Sequence, residues 1–267
     1  MLKNCISHIS MHKKTYILLA ILVAISVFSI QPATKSVFQT ISFAEASKRK
    51  LPIYSVETPE KRVAISFDAA WGADDTEMLL SILSQYDVKA TFFLCGYWID
   101  KYPDMVKMIF KAGHEIGNHG KTHAHGSQLS LEQNKNEIMG AHEKLKNLLG
   151  IDMNLFRPPY GEYNDTVIQA IEECRYYPIQ WDVDSHDWMN RGVEYEIDRV
   201  LNSKDLRNGS IILFHNDAKD TPVALPYILK GLKEKGYTIG TVSELIYKDN
   251  YRLNNEGRQI PNKIEID

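Results

Sequence analysis

His119 and His123 stand four residues apart in the run His119-Gly120-Lys121-Thr122-His123. That spacing brings two imidazoles to one side of a helical turn or a short loop. Neutral imidazole is a ligand for zinc, cobalt and nickel, although such a pair taken alone is as well explained by two surface histidines. Four other polar clusters recur at domain-scale intervals: Ser66-Phe67-Asp68, Arg157-Pro158-Pro159-Tyr160, Asp184-Ser185-His186-Asp187-Trp188 and Leu213-Phe214-His215. Asp68 closes an apolar run, where a lone carboxylate is costly unless it is paired or functional. Together the clusters supply a metal site, a carboxylate base, a cation to orient it and an imidazole acid, which is the equipment of metal-assisted hydrolysis. His114 and His125 lie in the same histidine-rich stretch, and Asp184 and His186 beside Asp187, without an assigned role.

The elements that must position these groups alternate along the chain. Val63–Phe67 is a short apolar strand, and Met78, Leu79, Ile82, Leu83 and Tyr86 then repeat at helical spacing. Ala90–Leu94 is a second strand, followed by a helix over Asp104–Lys111 and a strand at Glu115–Gly117. Ser130 with Gln133 forms a capping box at the head of a long helix whose Ile138, Ala141, Leu145 and Leu148 share a face. Strands at Asn154–Phe156, Tyr177–Val183 and Ser210–Phe214 alternate with helices at Val167–Cys174, Tyr195–Leu201 and Ala224–Lys235. Such alternation implies a parallel sheet or barrel. Each polar cluster falls at or just past the C-terminal end of a predicted strand, the face on which parallel α/β folds build their sites.

The 267 residues, 44% hydrophobic and 24% charged, have an ordinary globular composition. A net charge of −3 and the lack of a basic patch with interleaved aromatics set nucleic acid aside as a partner. At the N-terminus, Lys13-Lys14 precede the uncharged apolar run Tyr16–Ile30, the pattern of an export signal. Ala44-Glu45-Ala46 offers a cleavage site, and the run is short for a spanning helix, so a cleaved signal and an uncleaved membrane anchor both stand. Either places the rest of the chain outside the cytoplasm. Cys5 precedes the run, which leaves Cys95 and Cys174, read as two buried free thiols.

In this order, the five segments resemble the polysaccharide deacetylase family, the NodB-homology domain of carbohydrate esterase family 4, over about residues 61–247. The resemblance implies an α/β fold, a distorted (β/α) barrel forming a single domain over 51–248, after an N-terminal signal or anchor with linker (1–50) and before a polar tail (249–267). It implies Asp68 as the general base, Arg157 as the cation that orients it and the Tyr160 amide as an oxyanion donor. His215 matches the general acid and Asp187 the carboxylate that keeps it protonated. Trp188 and Leu213 match the walls of an acetyl pocket, His119 and His123 two metal ligands, and Trp71 is placed to stack on a sugar ring or fill the pocket. The implied cofactor is a divalent ion, zinc first, with cobalt or nickel as alternatives. The implied substrate is the N-acetyl group of amino sugars in a cell-wall polysaccharide, peptidoglycan before chitin.

One position departs from the family. Most members carry two adjacent aspartates in the first motif, the second being a metal ligand, whereas here Ala69 follows Asp68. Asp74 or Asp75 is then expected to supply the third ligand or to cap the helix starting near Thr76, unless two histidines hold the metal more weakly. A further expectation is loss of hydrolysis with glycan binding kept. A third reading keeps hydrolysis and changes the substrate to a small amide.

Overall fold

The computed structural model describes residues 49–262, so the Tyr16–Ile30 segment lies outside the described residues. In chain order the strands and helices are β1 (Ser55–Val56), β2 (Arg62–Ala69), α1 (Thr76–Gln85), β3 (Thr91–Leu94), α2 (Gly96–Lys101), α3 (Pro103–Lys111), β4 (Glu115–Asn118), α4 (Leu131–Leu149), β5 (Leu155–Phe156) and α5 (Asp165–Glu173). They continue with β6 (Tyr177–Pro178), β7 (Val183–Asp184), α6 (Val193–Leu201), β8 (Ile211–His215), α7 (Thr221–Glu234), β9 (Thr238–Gly240), α8 (Val242–Leu245), β10 (Tyr251–Leu253) and β11 (Arg258–Pro261). The main sheet is parallel, in the order β6-β5-β4-β3-β2-β8-β7, with β9 beside the start of β2. Strands buried on both faces read as continuous apolar runs, which is why Ile211–Phe214 was legible as a strand.

Side chains alternate across β2. Ile65, Phe67 and Ala69 join the large apolar cluster packed with the helices, while Ala64 joins Phe93, Leu155, Ile179 and Ile211 in a second cluster inside the curled sheet. Space inside is tight: a Cβ on Gly117 of β4 would stand 2.5 Å from the Phe93 ring. The capping box at the head of α4 is present, with Ser130 accepting from the Gln133 amide, and Gly150 ends the helix at φ 73°.

Two expectations are corrected. Tyr177–Val183 is not one strand: β6 pairs with β5 and β7 with β8, at opposite ends of the sheet order. Between them the backbone is taken up by residue 53, since Ile53 donates to the Pro178 carbonyl and Gln180 donates to that of Ile53. The stretch read as a polar tail folds as the antiparallel hairpin β10–β11, and β11 pairs with β1. The buried residue that anchors it is polar: Gln259, fully buried, accepts from the Tyr247 amide and donates to the Tyr247 carbonyl. Cys95 and Cys174 are both free as expected, Cys95 buried and Cys174 only half-buried.

Candidate active site

A cleft of about 770 Å³ opens at the C-terminal ends of the parallel strands. Asp68, Trp71, His119, His123, Tyr160, Trp188, Leu213 and His215, all singled out in the sequence, line it. Arg157 and Asp187 stand behind it, almost fully buried. Parallel register does much of the assembly. Asp68 on β2 is the direct partner of His215 on β8, and His119 and Arg157 each follow the last residue of their strands, β4 and β5.

Asp68 is 5% exposed and its Oδ1 accepts from Arg157 Nη1 at 2.7 Å. Arg157 Nη2 donates to Ser66 Oγ at 2.8 Å and to the Gln180 carbonyl at 3.2 Å, while its guanidinium lies 4.1 Å from the Phe93 ring centroid. Burial pushes the Asp68 carboxyl up, but the Arg157 charge, aided by that of His215, outweighs it and holds the group below the usual carboxylate range.

His119 Nδ1 lies 2.8 Å from the Arg157 carbonyl. A carbonyl only accepts, so Nδ1 carries the hydrogen and the Nε2 lone pair is left facing Asp68 Oδ2 at 3.5 Å. Burial lowers the His119 pKa, and burial, followed by the repulsion that two protonated rings would feel, brings that of His123 to about 3, so both imidazoles are neutral. Their ring centroids are 4.9 Å apart, and the buried Nδ1 of His123 has no hydrogen-bond partner. The segment is a loop, with His123 at φ 58°, not a helical turn. Trp71 and Tyr160 set their rings edge-on to His123 at 4.5 and 4.4 Å.

Two neutral imidazoles, one oriented by a backbone carbonyl and with its free lone pair aimed at a carboxylate, are a donor set that suits a divalent ion of the zinc type. Among the described residues no group of three or more His, Cys, Asp or Glu side chains is arranged to hold a metal ion, so the fit is that of a two-histidine site. Ala69 is fully buried in the apolar cluster, and it is Asp68 and Ala70 that line the cleft. Neither Asp74 nor Asp75 lines it. Asp75 takes the N-cap position of α1 without a side-chain cap hydrogen bond, and Asp74 is exposed.

His215 donates its backbone N–H to Asp187 Oδ2 at 2.6 Å, and its Nδ1 lies 2.7 Å from Asp187 Oδ1. A carboxylate accepts, so Nδ1 carries the hydrogen and Nε2 is left for the cleft. Burial lowers the His215 pKa, but the hydrogen bond and charge of Asp187 raise it further, to about 9, and leave the ring protonated at neutrality. Asp187 is fixed in turn by the Trp188 amide at 2.7 Å and the Thr221 hydroxyl at 3.3 Å. Tyr160 adopts φ 60°, ψ 8° within the turn Pro159–Gly161, a strained left-handed conformation for a non-glycine residue. Trp71, Tyr160 and Trp188 are each about half exposed at the mouth, whereas Leu213 is buried at the base.

Sequence reasoning assigned no role to Asp184, Trp181 or Asp217, which also line the cleft. Asp184 was in view as a motif residue, and its oxygens accept from the His186 amide and Trp181 Nε1. Asp217 receives the Gly72 amide across the mouth, a contact with no local signal in the sequence.

Comparison with known proteins bears on this arrangement. The family model described as polysaccharide deacetylase matches residues 55–179. The peptidoglycan-N-acetylglucosamine deacetylase of Bacillus cereus is 38% identical over 198 residues, which are 72% of this chain and 92% of that protein. The peptidoglycan-N-acetylmuramic acid deacetylase PdaA of Bacillus subtilis is 28% identical over 204 residues, 75% of this chain and 77% of that protein. A pseudoenzyme of carbohydrate esterase family 4 from Bacillus anthracis superimposes with a TM-score of 0.70 at 30% identity, over 79% of this chain and 70% of that one. A mutant of that pseudoenzyme with restored enzymatic activity superimposes equally well.

Proposed function

Because the chain belongs to the polysaccharide deacetylase family, we propose that it hydrolyses N-acetyl groups of amino sugars in a cell-wall polysaccharide, peptidoglycan before chitin. The observation that carries this reading is the pairing of Asp68 and His215 on neighbouring strands of one cleft, the first held ionised and the second held protonated. Groups whose environments push them to opposite protonation states are what acid–base chemistry at neutral pH requires.

His119 and His123 would hold a divalent ion, zinc first and cobalt or nickel as alternatives, which would supply Lewis-acid polarisation of the acetyl carbonyl and of water. Asp68, kept ionised by Arg157, takes a proton from the attacking water. The Tyr160 amide, presented by its strained turn, donates to the oxygen on which negative charge develops. His215 delivers its Nε2 proton to the departing amine, and Asp187 holds the ring in place through Nδ1. Water and the amide are thereby converted to acetate and a free amino sugar. Leu213 and Trp188 enclose the methyl group, and Trp71 stacks on the sugar ring.

We place the catalytic domain over about 49–262, hairpin included, and the chain outside the cytoplasm, with the N-terminal segment as its export signal or membrane anchor. Among the described residues no helix is long and apolar enough to cross a membrane.

A second reading, a glycan-binding protein without turnover, is favoured by Ala69 and by the likeness to a family 4 pseudoenzyme. Acetate release from peptidoglycan and from chitin oligomers, measured on the full chain and on Asp68→Asn, separates the two. Release that requires Asp68 supports the deacetylase; glycan bound without release, whatever metal is added, supports the binder.

A further inference from the structure

The loop that carries the two histidines is held at each residue between them. Gly120, at φ 80°, donates its N–H to Asn118 Oδ1 at 2.9 Å, and its carbonyl accepts from the Gly96 amide at 2.8 Å. The Lys121 carbonyl accepts from the Tyr97 amide at 3.1 Å. Those two donors are the first amides of α2, and the approach is close: a Cβ on Gly96 would stand 3.0 Å from the Lys121 backbone. Thr122 is held differently, by a side chain from a distant element. Glu137 on α4 accepts the Thr122 N–H on Oε2 at 2.8 Å and the Thr122 hydroxyl on Oε1 at 3.0 Å.

Two consecutive positions of α4 thus grip the residue that precedes each histidine. The Ile138 carbonyl accepts from Asn118 Nδ2 at 2.8 Å, and Glu137 takes the N–H and hydroxyl of Thr122. The second grip carries more. His119 is also oriented through its own ring, by Nδ1 on the Arg157 carbonyl. His123 has no partner on its buried Nδ1, and its backbone sits at φ 58°, uncommon for a residue with a side chain. Such a conformation persists only where its surroundings over-determine it. Trp71 and Tyr160 flank the ring, whereas Glu137 fixes the residue immediately before it. A carboxylate with one donor on each oxygen sets orientation as well as position, and both bonds are strengthened by its charge.

We propose that Glu137 is a positioning residue for His123: by holding the Thr122 N–H and hydroxyl on its two oxygens, it keeps the His123 backbone left-handed and its imidazole beside that of His119. The inference rests on the reading of His119 and His123 as metal ligands. It gives a use to a carboxylate on α4 that the hydrolytic steps leave aside.

The test is calorimetric titration of zinc into the metal-free full chain and into Glu137→Ala, Glu137→Gln, Thr122→Val and Thr122→Ser. Glu137→Ala should weaken zinc binding by about ten- to hundredfold, the usual cost of losing a group that orients a ligand. Glu137→Gln should restore most of the affinity, because its amide oxygen accepts from the Thr122 N–H and its NH2 donates to the hydroxyl. Thr122→Val keeps the N–H and loses the hydroxyl, so it should weaken binding less, and Thr122→Ser should match the native chain. Proton NMR of the same proteins without metal gives a second readout. The His123 ring protons, shifted by aromatic neighbours at 4.5 and 4.4 Å, should move toward ordinary imidazole positions in Glu137→Ala and return in Glu137→Gln.

A Glu137 that merely ties α4 to the loop would lower Tm in Glu137→Ala and leave zinc affinity and the His123 signals as they are, which overturns the proposal. Equal losses in Glu137→Ala and Glu137→Gln overturn it too, since they would assign the effect to the charge and not to the grip. If Glu137→Ala does not fold, Thr122→Val against Thr122→Ser decides by the same two readouts. A native chain that takes up no zinc fails the metal reading, and the His123 signals of the metal-free proteins still decide whether Glu137 positions that ring.

Discussion

Arg157 places Nη1 2.7 Å from Asp68 Oδ1 across 89 residues of sequence, with its own side chain wholly buried. Asp68 is the sole carboxylate within ion-pair distance of that guanidinium among the described residues. The pair therefore does two things: it holds a carboxylate ionised at the cleft and it neutralises a cation in the interior.

Asp68→Asn should accordingly show two effects. An amide accepts no proton, so kcat should fall by roughly a hundredfold to ten-thousandfold, the usual worth of a general base. Removing one member of a buried pair also strands the other charge, so stability should drop by about 3 kcal/mol. Acetate release and calorimetry measure these separately, and an unchanged Tm would mean that Arg157 finds another counter-charge.

The two histidines should differ in their structural cost. His119→Ala and His123→Ala are both expected to abolish stoichiometric metal uptake. Only His119→Ala also loses a hydrogen bond, from Nδ1 to the Arg157 carbonyl, worth about 1 kcal/mol. Metal content beside thermal unfolding of the metal-free variants checks this, and metal retained by both variants would remove them as ligands.

Ala69→Asp should tighten metal binding if this site is the family's with one ligand missing. Because Ala69 lies in the apolar cluster, the new carboxylate should destabilise the metal-free protein, and added metal should recover the loss. Calorimetric titration of the metal with both forms is the measurement. Equal affinities would show that another group already completes the site.

The pH response should have a defined upper limb. The folded His215 pKa, about 9, lies above the ordinary 6.5, so the stability it contributes is full below about 6.5 and is lost as pH rises through about 9. Activity should fall over the same upper limb as the acid loses its proton. Asp187→Asn should move that limb down toward 6.5, seen in kcat/KM and in Tm against pH. A limb that stays near 9 would detach Asp187 from the acid.

Trp71→Ala and Trp188→Ala should raise KM for glycan oligomers by about two- to tenfold, the worth of an aromatic contact, with little change in kcat. Initial rates on oligomers of increasing length test this. Unaltered KM would leave the two exposed rings without a role in binding.

The sequence by itself determined the chemical vocabulary and most of the elements. Capping boxes, apolar runs and helical spacing are local signals, so β2, β3, β4, β8 and α4 were legible with small boundary shifts. Asp68, His119, His123, Arg157, Asp187 and His215 were legible too, because polar groups at the ends of apolar strands are conspicuous there, whereas Trp181 and Asp217, which also line the cleft, were not. Short strands and polar contacts were not. β6 and β7 were merged because two-residue strands carry no periodicity, and the β10–β11 hairpin was missed because its buried anchor is Gln259.

Only the tertiary structure decided which groups meet. The parallel register of β2 against β8 sets Asp68 beside His215, and Asp217 reaches Gly72 across the mouth. It also put Ala69 in the apolar cluster and kept Asp74 and Asp75 out of the cleft. Such meetings depend on strand register and helix packing between distant segments, and no local pattern of residues encodes them.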